Sequence, residues 1–238
     1  MNSEILVVMG NGPSLKKIDL NLLKKYNTFG LNAAYRIYDK IDFYPTYFGS
    51  FDYRINESHK ENFEELVTSS KPIYKFFFIG NDTGQKIYND NIINNNKFTK
   101  INFKDYPIEH NRPLSKSFLE FNDMGSSGAN AAQCGILMGY KKIVLIGCDC
   151  SYVEHLPNSI KTNNCITLTK TPSFNPNYWF DNYQQAGDLY NVPQTNTYQI
   201  NSWKYLFTNC PQDVEIVNCS EGSNIPYFKK DLITNVLV

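Results

Sequence analysis

The stretch Leu6 to Ser14 reads LVVMGNGPS, an apolar run that breaks into Gly10-Asn11-Gly12-Pro13-Ser14 just before an amphipathic segment. A strand that delivers a tight glycine loop to a helix start is a typical opening of a parallel α/β sheet. Its backbone N–H groups and the helix dipole together make a cradle for phosphate. Gly10 and Gly12 allow close backbone approach, Pro13 suits a first helical turn, and Ser14 supplies a hydroxyl. The spacing is neither GxGxxG nor GxxxxGK[ST], so neither the dinucleotide fingerprint nor the P-loop is directly indicated. Phosphate contact is one reading of the loop, and a purely structural chain reversal is the other.

Outward from this loop, alternating elements continue. Ile5 to Met9 reads as a strand, Leu20 to Tyr26 as a helix, Thr28 to Leu31 as a strand ending at Asn32, and Tyr44 to Phe48 as a third strand. Glu57 to Val67 follows as a helix and Ile73 to Ile79 as a short buried strand. Strands separated by helices predict a parallel sheet. Asn81 to Asn111, with Asn94-Asn95-Asn96 at its centre, is polar enough to read as a surface excursion without chemistry.

Composition bounds the class. The 238 residues are 42% hydrophobic, enough for one α/β domain spanning 1–238, and the 23 basic residues balance the 23 acidic ones. No net positive charge exists to drive generic binding of nucleic acid or anionic membrane. The start lacks a basic region followed by a long apolar run, so neither a leader nor a membrane span is expected, and the chain reads as cytoplasmic, with a homo-oligomer left open. The six cysteines have no CxxC pairing and read as reduced thiols. Cys148-Asp149-Cys150 alternates faces on a strand end, so no metal site is expected.

A second informative stretch is Gly125 to Tyr152, GSSGANAAQCGILMGYKKIVLIGCDCSY. Small residues at Ser126, Ser127, Gly128 and Ala129 open a helix, Gly139 ends it, and the strand Ile143 to Ile146 then brings Asp149 and Tyr152 to its carboxyl end. A ligand can lie against such a helix start, although tight packing of helix on sheet also uses glycine and alanine.

GNGPSL (Gly10 to Leu15), Asn32 in LNAAY, and SSG with GYKKIVLIGCDCSY (Ser126 to Tyr152) together resemble the bacterial sialyltransferases that use CMP-linked nonulosonic acids. They are equally similar to the 6-hydroxymethylpterin diphosphokinase (MptE-like) family. In the sialyltransferases the GNGPS loop and the Asn after the second strand face the nucleotide, and the helix start wraps the cytidine. A Tyr soon after the GxD turn approaches the phosphate. The resemblance therefore implies nucleotide contacts at Gly10, Asn11, Gly12, Ser14, Asn32, Ser126, Ser127, Gly128, Asp149 and Tyr152. It also implies a Rossmann-like fold, no cofactor or metal, and inverting attack by an acceptor hydroxyl.

One feature of those sialyltransferases is missing. Their general base is a histidine in a later lid-like segment, whereas Pro172 to Pro193 contains none. Of His59, His110 and His155, only His155 lies just past a ligand-facing strand end, which makes it one candidate base. Asp181 is the other, while Asp188 in AGD reads as turn chemistry. The lid or acceptor segment, about residues 153–197, is rich in aromatics and amides, a mixture suited to sugar rings. Tyr178, Trp179, Tyr183 and Gln184 are its candidate acceptor contacts. Tyr198 to Phe207 reads as a helix, Val214 to Val217 as the last strand, and Ser220 and Ser223 as further ligand contacts.

The expectation is thus a mostly parallel, Rossmann-like α/β sheet flanked by helices, with an aromatic-rich lid. Its expected activity is that of a glycosyltransferase moving a sugar from a CMP-type donor to a glycan. The alternatives are a pyrophosphokinase acting on a pterin-type alcohol and a noncatalytic nucleotide-sugar-binding module.

Overall fold

The computed structural model describes residues 2–79, 88–104, 112–151, 157–162, 165–191 and 196–237. In chain order the strands are β1 (Asn2–Met9), β2 (Tyr26–Leu31), β3 (Tyr47–Ser50), β4 (Lys75–Ile79), β5 (Phe98–Ile101), β6 (Phe103–Lys104), β7 (Phe121–Asn122) and β8 (Lys142–Ile146). They continue as β9 (Ser159–Thr162), β10 (Cys165–Leu168), β11 (Leu189–Asn191), β12 (Glu215–Asn218) and β13 (Lys229–Lys230). The helices are α1 (Tyr35–Ile41), α2 (Tyr53–Ser58), α3 (Lys60–Thr68), α4 (Asp90–Ile93), α5 (Ser127–Leu137), α6 (Asn196–Asn209) and α7 (Ile233–Val236).

Eight strands form one sheet in the order β13-β12-β8-β1-β2-β3-β4-β5, and every neighbouring pair is parallel. Strand β1 explains why: Leu6, Val7 and Val8 are all fully buried, Val7 in the core on one face and Leu6 and Val8 in the core on the other. A strand covered on both faces needs an unbroken apolar run, which LVVM supplies. From β1 the chain builds outward through β2, β3, β4 and β5, then returns to place β8 on the opposite side of β1. The order reverses between β1 and β8, the kind of switch point beside which open parallel sheets bind their ligands.

Helix α5 packs closely because its residues are small. A Cβ on Gly135 would stand 2.6 Å from Leu6 Cδ2, and one on Gly128 would stand 2.9 Å from the Trp203 ring. Gly139, at φ +89, then ends the helix in the left-handed conformation that glycine adopts without strain.

Several sequence expectations need correction. Leu20–Lys25 forms a 3-10 segment rather than an α-helix, with only Leu23 buried, because the link from β1 to β2 is short and Tyr26 already belongs to β2. The third strand starts at Tyr47, after Pro45, which lacks the N–H a central strand needs. The helix expected from Glu57 to Val67 is two helices broken at His59, whose ring is buried. The Asn-rich stretch hides α4 and the sheet-edge strand β5, anchored by the buried Phe98 and Ile101. The lid segment holds an antiparallel sheet of β9, β10 and β11. Among the described residues, no helix is long and apolar enough to cross a membrane.

Candidate functional site

The loops after β1 and β8 leave the sheet side by side, since Met9 pairs with Ile146. Gly10 N–H donates to the Ile146 carbonyl at 2.7 Å and Gly12 N–H to the Gly147 carbonyl at 2.8 Å. The two backbones touch so closely that a Cβ on Gly10 would lie 2.2 Å from Gly147 O. Gly10→Ala is therefore expected to cost about 1–3 kcal/mol, because backbone rather than a side chain must move. Urea unfolding reads this, and a loss below about 0.5 kcal/mol would mean that the loops separate freely.

Asp149 clamps this junction. One carboxylate oxygen accepts Ser14 N–H at 2.9 Å and the other accepts the Ser14 hydroxyl, with both residues buried. Behind the clamp, the Ser220 hydroxyl accepts Cys148 N–H at 2.9 Å and the Ser223 hydroxyl donates to Cys148 O at 2.7 Å. Ser220 and Ser223, expected at the ligand, are thus buried supports of the loop. Ser14 also stays behind the loop, whereas Asp149 reaches the cleft lining.

In front of the clamp lies a cleft of about 680 Å³, within the usual size of ligand sites. Gly10, Asn11, Gly12, Asn32, Ser126, Ser127 and Gly128, the residues for which the resemblance implies nucleotide contact, all line it. Asn32 sits at φ +55, a left-handed conformation that Asn tolerates better than most residues. There its amide donates to the Ser127 hydroxyl at 3.3 Å and accepts from the Ser50 hydroxyl at 3.1 Å, tying β2, β3 and α5 together. Asn11 donates to Leu31 O and to the Tyr183 hydroxyl, each at 3.1 Å, while its own buried Oδ1 meets no donor among the described residues. The Ser126 side chain makes no capping bond at the start of α5, so the first N–H groups of that helix remain for a ligand.

The lid closes the other wall. Tyr178 and Tyr183 stack with centroids 3.9 Å apart, and both line the cleft with Gln184. Trp179, an expected acceptor contact, instead packs its ring into the core, and its backbone N–H donates to Asn11 O at 3.2 Å. Asp181 accepts from Asn175 N–H at 3.2 Å and lies off the cleft lining. Asp188 closes the turn that begins at Gln185, donating its N–H to Gln185 O at 3.1 Å and accepting Gln185 N–H at 2.7 Å, and it also forms a two-pronged ion pair with Arg36. Tyr152 and His155 lie outside the described residues.

Three groups of cleft residues escaped the sequence reading. They are Phe51, Asp52 and Tyr53 after β3, Asp123 before α5, and Tyr198, Gln199 and Trp203 on α6. The first had a usable signal, because GSFDY follows a strand at the same sheet edge as the glycine loops. The cleft holds no activated thiol: burial pushes the Cys150 thiol up to about 12, despite the Trp203 N–H 3.1 Å from its sulfur. Among the described residues, no three His, Cys, Asp or Glu side chains converge as a metal site.

The fold that builds this cleft is found in known enzymes. The chain resembles the MAf glycosyltransferase from Magnetospirillum magneticum AMB-1 at 13% identity and TM-score 0.55. That match covers 99% of this chain but 34% of the other, so this chain spans about a third of that protein's length. It resembles the sialyltransferase CstII from Campylobacter jejuni, solved with the substrate analogue CMP-3FNeuAc, at 13% identity and TM-score 0.52, covering 95% of this chain and 86% of CstII. CstII with a trisaccharide acceptor and CMP matches at 17% identity and TM-score 0.52, covering 98% and 88%. At these identities the likeness establishes a shared fold, that of known glycosyltransferases. No curated protein sequence matches the chain. The family model described as 6-hydroxymethylpterin diphosphokinase MptE-like matches residues 2–155, most of the chain and both glycine loops, so this protein belongs to the MptE-like family.

Proposed function

We propose that this protein is a glycosyltransferase that moves a sugar, a nonulosonic acid by analogy with the sialyltransferases, from a CMP-type donor to a glycan hydroxyl by a single inverting displacement without a metal. The observation that carries this reading is the electrostatic make-up of the cleft. The uncapped start of α5 offers N–H groups and the positive end of a helix dipole, enough for one phosphate. Among the described residues that line the cleft there is no Lys, Arg or His. A triphosphate brings several more charges and is ordinarily met by lysine, arginine or Mg²⁺. The environment therefore favours a nucleoside monophosphate as leaving group, with N–H and hydroxyl donors stabilising the charge that develops on it.

Two further observations support the reading. Asp149, beside the glycine loop, has both oxygens engaged by Ser14 and is poorly placed to hold Mg²⁺. Tyr178, stacked on the buried Tyr183 and lining the cleft beside Gln184, gives this wall the aromatic and amide character that sugar rings require. Family membership favours a second reading, Mg²⁺-dependent pyrophosphoryl transfer to a pterin-type alcohol.

A thermal-shift panel of CMP, CDP, UDP, GDP and ATP, each with and without Mg²⁺, separates the two. The proposal expects CMP to raise the melting temperature without Mg²⁺, since ligand at a hundredfold its Kd stabilises by about 2.7 kcal/mol. A shift by ATP with Mg²⁺ alone would select the pyrophosphokinase. Binding of CMP without turnover of any nucleotide sugar would select a noncatalytic module. Asn11→Ala, which removes a cleft amide, and Ser127→Trp, which fills the helix start, should each weaken CMP binding roughly tenfold or more, the loss of one hydrogen bond to a charged ligand. Calorimetry giving an unchanged Kd for both, with native circular dichroism, would contradict the site.

A further inference from the structure

Among the described residues, three carboxylates reach the cleft: Asp52, Asp123 and Asp149. Asp149 is engaged by Ser14, and Asp123 accepts from Gly125 N–H and the Asn130 amide, both at 2.8 Å, within the turn that precedes α5. Asp52 differs in position. One of its oxygens, Oδ1, accepts from Arg54 N–H at 2.8 Å and Ile55 N–H at 3.3 Å, capping α2, and from the Asn191 amide of β11 at 2.8 Å. The other, Oδ2, meets no donor among the described residues, is absent from the buried, unpartnered atoms, and belongs to a residue that lines the cleft.

Its place between the two walls is equally specific. From the start of α5, a ladder of hydrogen bonds runs from Ser127 to Asn32 and on to Ser50, two residues before Asp52. On its other side Asn191 ties Asp52 to the lid sheet. Asp52 thus stands where a donor phosphate held at α5 and an acceptor held by the lid would meet.

From this geometry, and resting on the glycosyltransferase reading above, we infer that Asp52 is the general base that activates the acceptor, the role for which Pro172 to Pro193 offers no histidine. The acceptor's O–H bond breaks as its proton passes to Asp52 Oδ2, while the freed oxygen pair forms the new bond to the donor's anomeric carbon. The bond from that carbon to the phosphate oxygen breaks at the same time, and its electron pair leaves on CMP. Burial, reinforced by the charge of Asp123, raises the Asp52 carboxyl above the usual carboxylate range despite the N–H groups of Ile55 and Arg54 and the Asn191 amide. That shift moves it toward the proton affinity an efficient base needs. Arg54, next in sequence after Tyr53, directs its guanidinium to Glu57 at 3.2 Å.

Asp52→Asn tests this directly, because asparagine caps a helix as well as aspartate does and changes only Oδ2 into an amide nitrogen. The probe is CMP-N-acetylneuraminate, with CMP release to water and to a mixed oligosaccharide acceptor pool followed at pH 7. Asp52→Asn should cut kcat by about 10²- to 10⁴-fold with the CMP Kd from calorimetry within about twofold of wild type. Asp181→Asn, whose carboxylate lies off the cleft lining, should keep kcat within about tenfold. An active wild type with Asp52→Asn retaining its kcat would overturn the assignment and leave the glycosyltransferase reading intact. A large loss in Asp123→Asn, His155→Ala or Asp181→Asn instead of Asp52→Asn would overturn it in the same way. A wild type that neither binds CMP nor releases it from the donor would remove the reading itself and the base with it.

Discussion

Arg36→Met is expected to lower the unfolding free energy by about 3–5 kcal/mol, the range for breaking a buried ion pair from one side. Arg36 lies on α1 and reaches across to the lid, where its guanidinium meets Asp188 at 2.5 and 2.8 Å and donates to the Tyr183 carbonyl at 2.9 Å. The two side chains are only 12% and 8% exposed, so solvent screens the pair little. Methionine would leave Asp188 as a buried charge held by Gln185 N–H at 2.7 Å and the Tyr190 hydroxyl at 3.0 Å, with the His59 ring nitrogen 3.7 Å away. Burial alone would push the Asp188 carboxyl up, but the Arg36 hydrogen bonds and charge outweigh it and hold the group below the usual range. Its stabilisation is therefore complete above the ordinary carboxylate pKa and fades as pH falls through the depressed folded value. Urea unfolding at pH 7 measures the loss, and Arg36→Met with Asp188→Leu should recover much of it by removing the stranded charge. A loss under about 1 kcal/mol would show a pair that is solvated rather than buried. Because Tyr183 touches Asn11, the same variant should also weaken nucleotide binding by loosening the lid.

The second large effect is a pH dependence set by His59. Its ring is fully buried between α2 and α3, stacks on Phe63, and shares a 2.9 Å hydrogen bond with the Tyr35 hydroxyl. Burial first, and then the Arg36 charge, lower its pKa from 6.5 to about 4, against the opposing pull of Asp188. The unfolded chain takes up a proton below pH 6.5 that the native ring refuses until about pH 4, so this contribution is present above 6.5 and is lost as pH falls. The difference corresponds to about 3 kcal/mol. Wild-type unfolding free energy should fall by roughly this amount between pH 7 and pH 4, whereas His59→Phe should show a much flatter curve over that window. Parallel curves for the two proteins would mean that the buried ring is already protonated near neutrality.

The central fold and the glycine-loop wall of the cleft were legible because their signals are local. An unbroken apolar run followed by glycine marks a buried parallel strand and its loop wherever it occurs, and LVVMGNG and IVLIGCD both carry that mark. The residues those loops deliver, from Gly10 to Gly12 and from Ser126 to Gly128, followed directly. Signals failed where polarity hid burial, as in β5, whose Phe98 and Ile101 sit among asparagines.

Sequence alone determined where strands end in glycine and asparagine turns, since strand length, turn chemistry and the period of burial act over a few residues. It could not assign partners to polar side chains. Asp149 became a clamp through Ser14, 135 residues away, and Asp188 became half of a buried ion pair through Arg36, 152 residues away. Trp179 turned to the core while its neighbour Tyr178 faced the cleft, and Asp52 came to line the cleft with one oxygen held by Asn191 of β11. Tertiary structure decided these roles because a carboxylate's function depends on which donors surround it and how much water reaches it. Both are set by chain segments distant in sequence that only the folded sheet brings together.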